Sequence, residues 1–457
     1  MRCAFLRSCN VIHIVPFCAL TELTVVSYIR GMNTTQNAAP GSFLRVAVVL
    51  NIERNYARGI LRGIERACFS HLLTGSGAPC SKWHLAVYPM AELQSGRAER
   101  KKMRDWQPDC ILAEINSRSL AMFCKGFRKP VVQLMHPAAA SGFPRVGLDD
   151  LAVGRQAADY FLQKGYRTFG YFELTNLGGF AAPWLRWNDL RRAGFQQKID
   201  EFFRRMPGHA AAVPKVKIFS ETSPVSHSGL PKHNRDTESR IAEWLTSLPQ
   251  RTAIFCGCDD WAVIMTRVAQ SLQLRIPDHI AVLGVDDDNL FCHMVDPPLS
   301  SIVTGDERVG REAVKVVDTL LAGKPAPADP ILLAPLGVTE RRSSNVRAVT
   351  DSDVIAALDY IKNHATENLG VKQIMPHLSV NRRTLELKFQ RLLGRSPAEE
   401  IYRVRMESLK LLLRGDMSIR QIVQRMDYSS SQYLARTFKR ETGMSLTEYR
   451  RKIIRGA

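Results

Sequence analysis

Between residues 44 and 344, short β-branched runs alternate with stretches of helical spacing. Residues 45–50 (Arg-Val-Ala-Val-Val-Leu) predict a buried strand. Residues 56–70 follow as a helix with Ile60, Ile64 and Ala67 on one face. Further strands are predicted at 108–113, 130–134, 167–172, 252–256 and 280–285, and helices at 149–164, 188–203 and 260–271. A short final strand over 331–335 follows a Pro-rich loop at 323–330. Such alternation specifies a parallel sheet covered by helices on both faces. The series before and after residue 150 are alike, so two lobes with a cleft between them are expected.

Beyond Thr350 the pattern is helical throughout. Asp351 or Ser352 can cap a helix carrying Val354, Ile355, Leu358 and Ile361. The rest repeats itself. Val371-Lys-Gln-Ile374 matches Ile419-Arg-Gln-Ile422 at an offset of 48. Leu385, Phe389, Gly394 and Ser396 match Leu434, Phe438, Gly443 and Ser445 at an offset of 49. Each copy reads as a short helix, a tight turn and a second helix with an exposed polar face, the arrangement that places its second helix in the major groove.

Length and charge fit this division. A chain of 457 residues is long enough for two or three domains. Its formal net charge of +19 favours an anionic partner, nucleic acid before a membrane surface. The charge is denser towards the end, with 20 Lys and Arg against 12 Asp and Glu from Thr350 onward. The ten cysteines are scattered at no regular spacing, with Cys292 the last, the closest pair (Cys256 and Cys258) in an apolar run and no CxxC pattern, so neither a zinc site nor a disulfide framework is expected. No cofactor or metal is implied. The signatures of P-loops, nucleophile elbows and zinc hydrolases are absent from the sequence, which argues against an enzyme.

The N-terminus allows two readings. Arg2 and Arg7 precede an apolar stretch at 11–29, as in a secretory signal, but Pro16 and Glu22 interrupt it. Translation from Met32 is the plainer expectation. The secreted alternative would be a periplasmic sugar-binding protein, for which a DNA-reading tail has no use. The expected layout is a leader at 1–43, a sensor at 44–344, a linker at 345–352 and a DNA-binding domain at 353–457.

The middle region resembles the sugar-binding domain shared by LacI-type regulators and periplasmic binding proteins. The resemblance rests on Val146-Gly-Leu-Asp149 with Gly154 and Lys164-Gly165, on Arg191-Arg-Ala-Gly194-Phe195, on Val282-Leu-Gly-Val-Asp286, and on Ser300-Ser-Ile302 with Gly310 and Ala313. It implies a ligand between the lobes. A carboxylate accepts from two sugar hydroxyls and a guanidinium donates to two oxygens, and Asp286 and Arg191 supply that pair. Trp187 lies one turn before Arg191 on the same face and offers a flat ring to a sugar. Asp286 as a helix cap, Arg191 as a surface residue and Trp187 as core stand as the alternatives. Tyr56, Asp149 and Asp259 are further candidates.

The C-terminal repeat resembles the AraC family through Asp427-Tyr428, Gln432 to Lys439, and Glu448-Tyr449-Arg450. Ser379 and Asp427 stand where that family prefers glycine in the turn, and Pro376 interrupts the first helix. The recognition helices are expected at 381–393 and 430–441, joined by a helix over 398–414. Arg382, Arg383, Thr384 and Lys388 on the first, and Ser431, Gln432, Arg436, Lys439 and Arg440 on the second, are the DNA-binding candidates. The order of parts resembles the xylose-responsive operon regulators of enteric bacteria. That resemblance implies a cytoplasmic protein acting on promoter DNA, with D-xylose as its small sugar effector. Paired half-sites imply a homodimer, and RNA polymerase is a further partner if it acts as an activator.

Overall fold

The computed structural model describes residues 44–74, 83–135, 142–176, 186–205, 213–223, 235–345, 349, 351–413, 417–428 and 431–454. The segment 11–29, Met32 and half of the expected linker lie outside them.

Twelve strands are described: β1 (Leu44–Leu50), β2 (Trp83–Pro89), β3 (Cys110–Glu114), β4 (Val131–Leu134), β5 (Arg145–Leu148), β6 (Thr168–Asn176), β7 (Lys217–Ser223), β8 (Thr252–Cys256), β9 (Ile280–Val285), β10 (Ser300–Val303), β11 (Ile331–Leu333) and β12 (Gly337–Thr339). They form two six-stranded sheets, ordered β11-β5-β4-β3-β1-β2 and β12-β10-β9-β8-β6-β7. All pairings are parallel except β10 with β12. Both faces of each sheet are buried, as near-continuous apolar strands demand. In β1, Val46, Val48 and Leu50 face helices Asn55–Thr74 and Asp306–Leu321, while Ala47 and Val49 face the opposite core with Met103 and Phe123. In β8, Ala253 and Phe255 pack under Phe195, and Ile254 and Cys256 pack against Trp261 and Leu245.

The chain crosses between the lobes three times, after β5, after β10 and between β11 and β12. The first two crossings lead directly into helices Asp150–Gln163 and Asp306–Leu321, and each helix is held by backbone-to-backbone contact through glycine. A Cβ on Gly154 would sit 1.9 Å from the carbonyl oxygen of Arg191, and one on Gly194 would sit 2.1 Å from that of Leu151. In the other lobe, Gly63 and Gly310 meet Glu307 and Ile60 in the same way, at 2.1 Å each. The first seam fixes Asp150 relative to Arg191, and the second fixes Asp306 relative to helix Asn55–Thr74. Gly154→Ala should therefore force helices Asp150–Gln163 and Arg186–Arg205 apart and cost about 1–3 kcal/mol. Denaturant unfolding of the variant is the measurement, and an unchanged midpoint would contradict the seam.

After β12, Arg342–Ser344 forms a 3-10 helix sewn onto the sheet. The Ser343 hydroxyl accepts from the Ser300 amide at 2.8 Å and donates to the Val282 carbonyl at 2.7 Å. The C-terminal region has two small cores. Leu385, Phe389 and Leu393 join Val354, Leu358 and Ile361 in the first, and Leu434 and Phe438 join Met406, Leu409 and Ile422 in the second. Helix Pro397–Leu412 belongs to both, giving Ile401 to one and Met406 and Leu409 to the other. Pro376 ends helix Val371–Ile374, and the chain continues as a 3-10 turn over Met375–His377. Asp427 takes the left-handed conformation at φ 44°, the geometry for which glycine is otherwise favoured. This region rests on the second lobe. Arg395 donates to the carbonyl of Gln163 at 3.0 Å, Arg403 to its side-chain oxygen at 3.1 Å, and Arg167 to the carbonyl of Leu392.

Candidate effector cleft and DNA-reading helices

Strand ends and helix N-termini from both lobes meet along one seam. From the first lobe come Arg54 and Tyr56 after β1, Glu114 at the end of β3, and Asp306 at the start of its helix. From the second come Trp187 and Arg191, Asp260 and Trp261, and Asp286 at the end of β9. Arg54 Nη1 donates to Asp260 Oδ2 at 2.6 Å across the seam, and Arg58 approaches Asp288 at 4.0 Å. The Tyr56 hydroxyl donates to Glu114 Oε1 at 2.7 Å.

Arg191 is buried and oriented from two sides. Its Nε donates to Asp150 Oδ1 at 2.9 Å and its Nη1 to the Gly257 carbonyl at 2.7 Å. The guanidinium lies 4.7 Å from the centre of the Trp187 ring, and Trp187 stacks on Trp261 at 5.5 Å. Asp286 adopts φ 103°, a strained backbone for any residue but glycine. Burial pushes its carboxyl up to about 8; Arg191 and Arg54 oppose this, and Asp306 and Asp260 add to it. Burial likewise raises Asp306 to about 6. Asp306 Oδ1 is buried without a hydrogen-bond partner among the described residues. Such an acceptor is costly unless something donates to it. Crowded carboxylates beside guanidinium groups, with indoles adjoining, form a surface that suits vicinal hydroxyls.

The six expected ligand residues divide. Asp286, Arg191, Trp187 and Tyr56 come together at the seam. Asp149 and Asp259 are engaged by the fold instead. Asp149 caps helix Asp150–Gln163, accepting from the Ala152 amide at 3.0 Å. Asp259 is buried and accepts from Ser301 Oγ at 2.7 Å and the Asp288 amide at 2.9 Å. In each case the following acid, Asp150 or Asp260, meets the arginine. Arg54, Glu114 and Asp306 were not anticipated.

In the C-terminal region, the two helices expected to read DNA run over Arg382–Leu393, with Asn381 as the cap of the first, and Ser431–Thr442. On the second, Gln432, Arg436, Lys439 and Arg440 are exposed opposite the buried Leu434 and Phe438. Ser431 begins that helix. On the first, Arg382 and Arg383 are exposed and Thr384 is half-buried. Arg382 pairs with Glu386 at 2.9 Å. Lys388 is turned aside, its ammonium held by Asp351 at 2.9 Å and Asp353 at 2.7 Å. Its charge is thereby matched within the domain.

Comparison with known proteins follows the same division. A family described as a periplasmic binding protein-like domain matches residues 158–344, and one described as a helix-turn-helix domain matches residues 376–452. The xylose operon regulatory protein of Escherichia coli K12 is 26% identical over 416 residues, which cover 89% of this chain and 96% of that protein. Its counterpart in Haemophilus influenzae is 26% identical over 309 residues, covering 67% of this chain and 75% of that protein. The structure of the xylose-binding transcription activator xylR is similar in fold, with a TM-score of 0.52 and 24% identity over 89% of this chain and 97% of that one. Among the described residues, no helix is long and apolar enough to cross a membrane. The chain thus joins a periplasmic binding protein-like domain to a helix-turn-helix domain, the build of a DNA-binding transcription regulator, and is similar over nearly its whole length to the xylose operon regulatory proteins.

Proposed function

We propose that this regulator responds to a pentose, D-xylose first, bound at the seam by Asp286 and Arg191 with Asp306, Tyr56 and the Trp187 ring around it. The observation that carries the reading is the unpartnered, buried Asp306 Oδ1 beside the raised Asp286 carboxyl. Sugar hydroxyls donate to such acceptors, and the guanidinium of Arg191 returns a donor. Xylose itself is favoured by similarity to the xylose operon regulators. The protein acts in the cytoplasm on promoter DNA, as a homodimer on paired half-sites, and RNA polymerase is its partner where it activates. Calorimetry with D-xylose, L-arabinose, D-ribose and D-glucose tests the effector. Tightest binding of D-xylose supports the reading, and no binding of any pentose overturns it.

Affinity should also depend on pH. Without sugar, Asp286 holds its proton up to about pH 8, whereas hydroxyl donors favour the ionised form. Sugar binding therefore releases a proton below that pH. The affinity should rise with pH between about 6 and 8, by up to about tenfold per unit, and Asp286→Asn should flatten the profile. For folding the sign is opposite. The raised carboxyl binds a proton in the native state that the unfolded state has lost, so stability without sugar falls across the same window.

A further inference from the structure

We infer that Leu387 is a base-reading residue of the first helix-turn-helix unit, seated on the C5 methyl of a thymine in the major groove. The inference rests on DNA being read by helices Arg382–Leu393 and Ser431–Thr442. Leu385 and Phe389 are fully buried in one, and Leu434 and Phe438 in the other, so the two helices share one register at an offset of 49. On the second helix the exposed face carries Gln432, Arg436, Lys439 and Arg440. The same positions on the first are Arg383, Leu387, Gln390 and Arg391. Leu387 thus stands where Arg436 stands, roughly 200° around the helix from Leu385.

Its surroundings are those of a groove contact. Leu387 is 64% exposed, while Leu385, Phe389 and Leu393 of the same helix are fully buried. It lies outside the group of side chains packed around them. Exposed arginines flank it one turn before, at Arg383, and one turn after, at Arg391. An apolar partner helix would want a wider apolar stripe, and a phosphate would want no leucine. One apolar side chain between two cations fits an anionic duplex whose major-groove edge has a single apolar feature, the thymine methyl. The two units then read differently: Arg436 suits guanine in one half of the site, and Leu387 suits thymine in the other.

The test uses the full-length protein and a duplex that it has selected from random sequence. Each thymine is replaced in turn by uracil, which removes only the methyl group. At one position uracil should weaken binding about fourfold, the effect of one buried methyl-sized group. Leu387→Ala should be indifferent to that change, and Leu387→Arg should move the preference there towards guanine. Because Leu387 is exposed, both variants should melt like the parent, which thermal unfolding checks. If Leu387→Ala keeps the full uracil effect at every thymine, the inference is overturned while DNA reading stands. If the parent protein selects no sequence, DNA reading itself fails and the inference falls with it.

Discussion

Asp286→Gly should abolish the sugar response while leaving the folded protein at least as stable as the parent. In the proposed site the carboxylate accepts from two hydroxyls, and hydrogen bonds to a charged group contribute roughly 1.5–3 kcal/mol each. Losing both should weaken sugar binding by about a hundredfold or more. Stability should move the other way for two reasons. Residue 286 sits at φ 103°, where glycine alone is unstrained. Its side chain is also a half-buried acid near Asp260 and Asp306, whose charges oppose its own. Arg191 keeps Asp150 and the Gly257 carbonyl as partners, so no buried cation is orphaned. Calorimetry gives the affinity and denaturant unfolding the stability. Undiminished sugar affinity would remove Asp286 from the site. Lost affinity with a large fall in stability would make it a structural residue. A stabilising loss of function is the expected signature of a strained binding position.

Much of this architecture is legible in the sequence because each strand carries its own two-sided pattern. The alternating apolar faces of β1 and the glycine-marked turn of helix Asp150–Gln163 into β6 need no distant information. Other elements are silent for physical reasons. Helix Arg97–Trp106 buries only Met103, with Trp106 partly covered at its end, so two apolar side chains among charges give little period to detect. β7 is an edge strand of mixed polarity and lacks a clear apolar run. The cleft is harder still. Arg54 and Asp260 are paired across 206 residues, and nothing local to either announces the other. Where two acids adjoin, as at 149–150 and 259–260, the sequence does not say which caps or buries itself and which faces the seam. The backbone at the helix N-terminus decides it, turning Asp149 onto the amide of Ala152 and leaving Asp150 for Arg191. Lys388 fails for a related reason. It lies on the flank of its helix beside the core, within reach of Asp351 and Asp353, which cap and begin the neighbouring helix.

Raising salt from 50 to 200 mM should weaken DNA binding by about a thousandfold, the loss expected when roughly six phosphate contacts release their counterions. The exposed cations of the two helices are of that number: Arg383 and Arg436 facing the groove displace counterions as Arg391, Lys439 and Arg440 do at the backbone, and Arg382 joins them on leaving its single partner, Glu386. Lys388 is left out, since its charge is already matched by two carboxylates. Helix Pro397–Leu412, rooted in both cores, should hold the units so that they enter successive major grooves, roughly 34 Å apart. Within this set, two kinds of variant should separate. Lys439→Ala should weaken all sequences alike and lower the slope of log affinity against log salt by about one. Arg436→Ala should cost about 1–3 kcal/mol on the preferred site and relax selection at one base, because a guanidinium on the groove-facing turn reads guanine through two hydrogen bonds. Titrations at several salt concentrations, with selected and scrambled duplexes, distinguish these outcomes. A salt-insensitive affinity would reject the electrostatic basis of binding. Unchanged base preference in Arg436→Ala and Arg383→Ala alike would move sequence reading to other residues of the two helices.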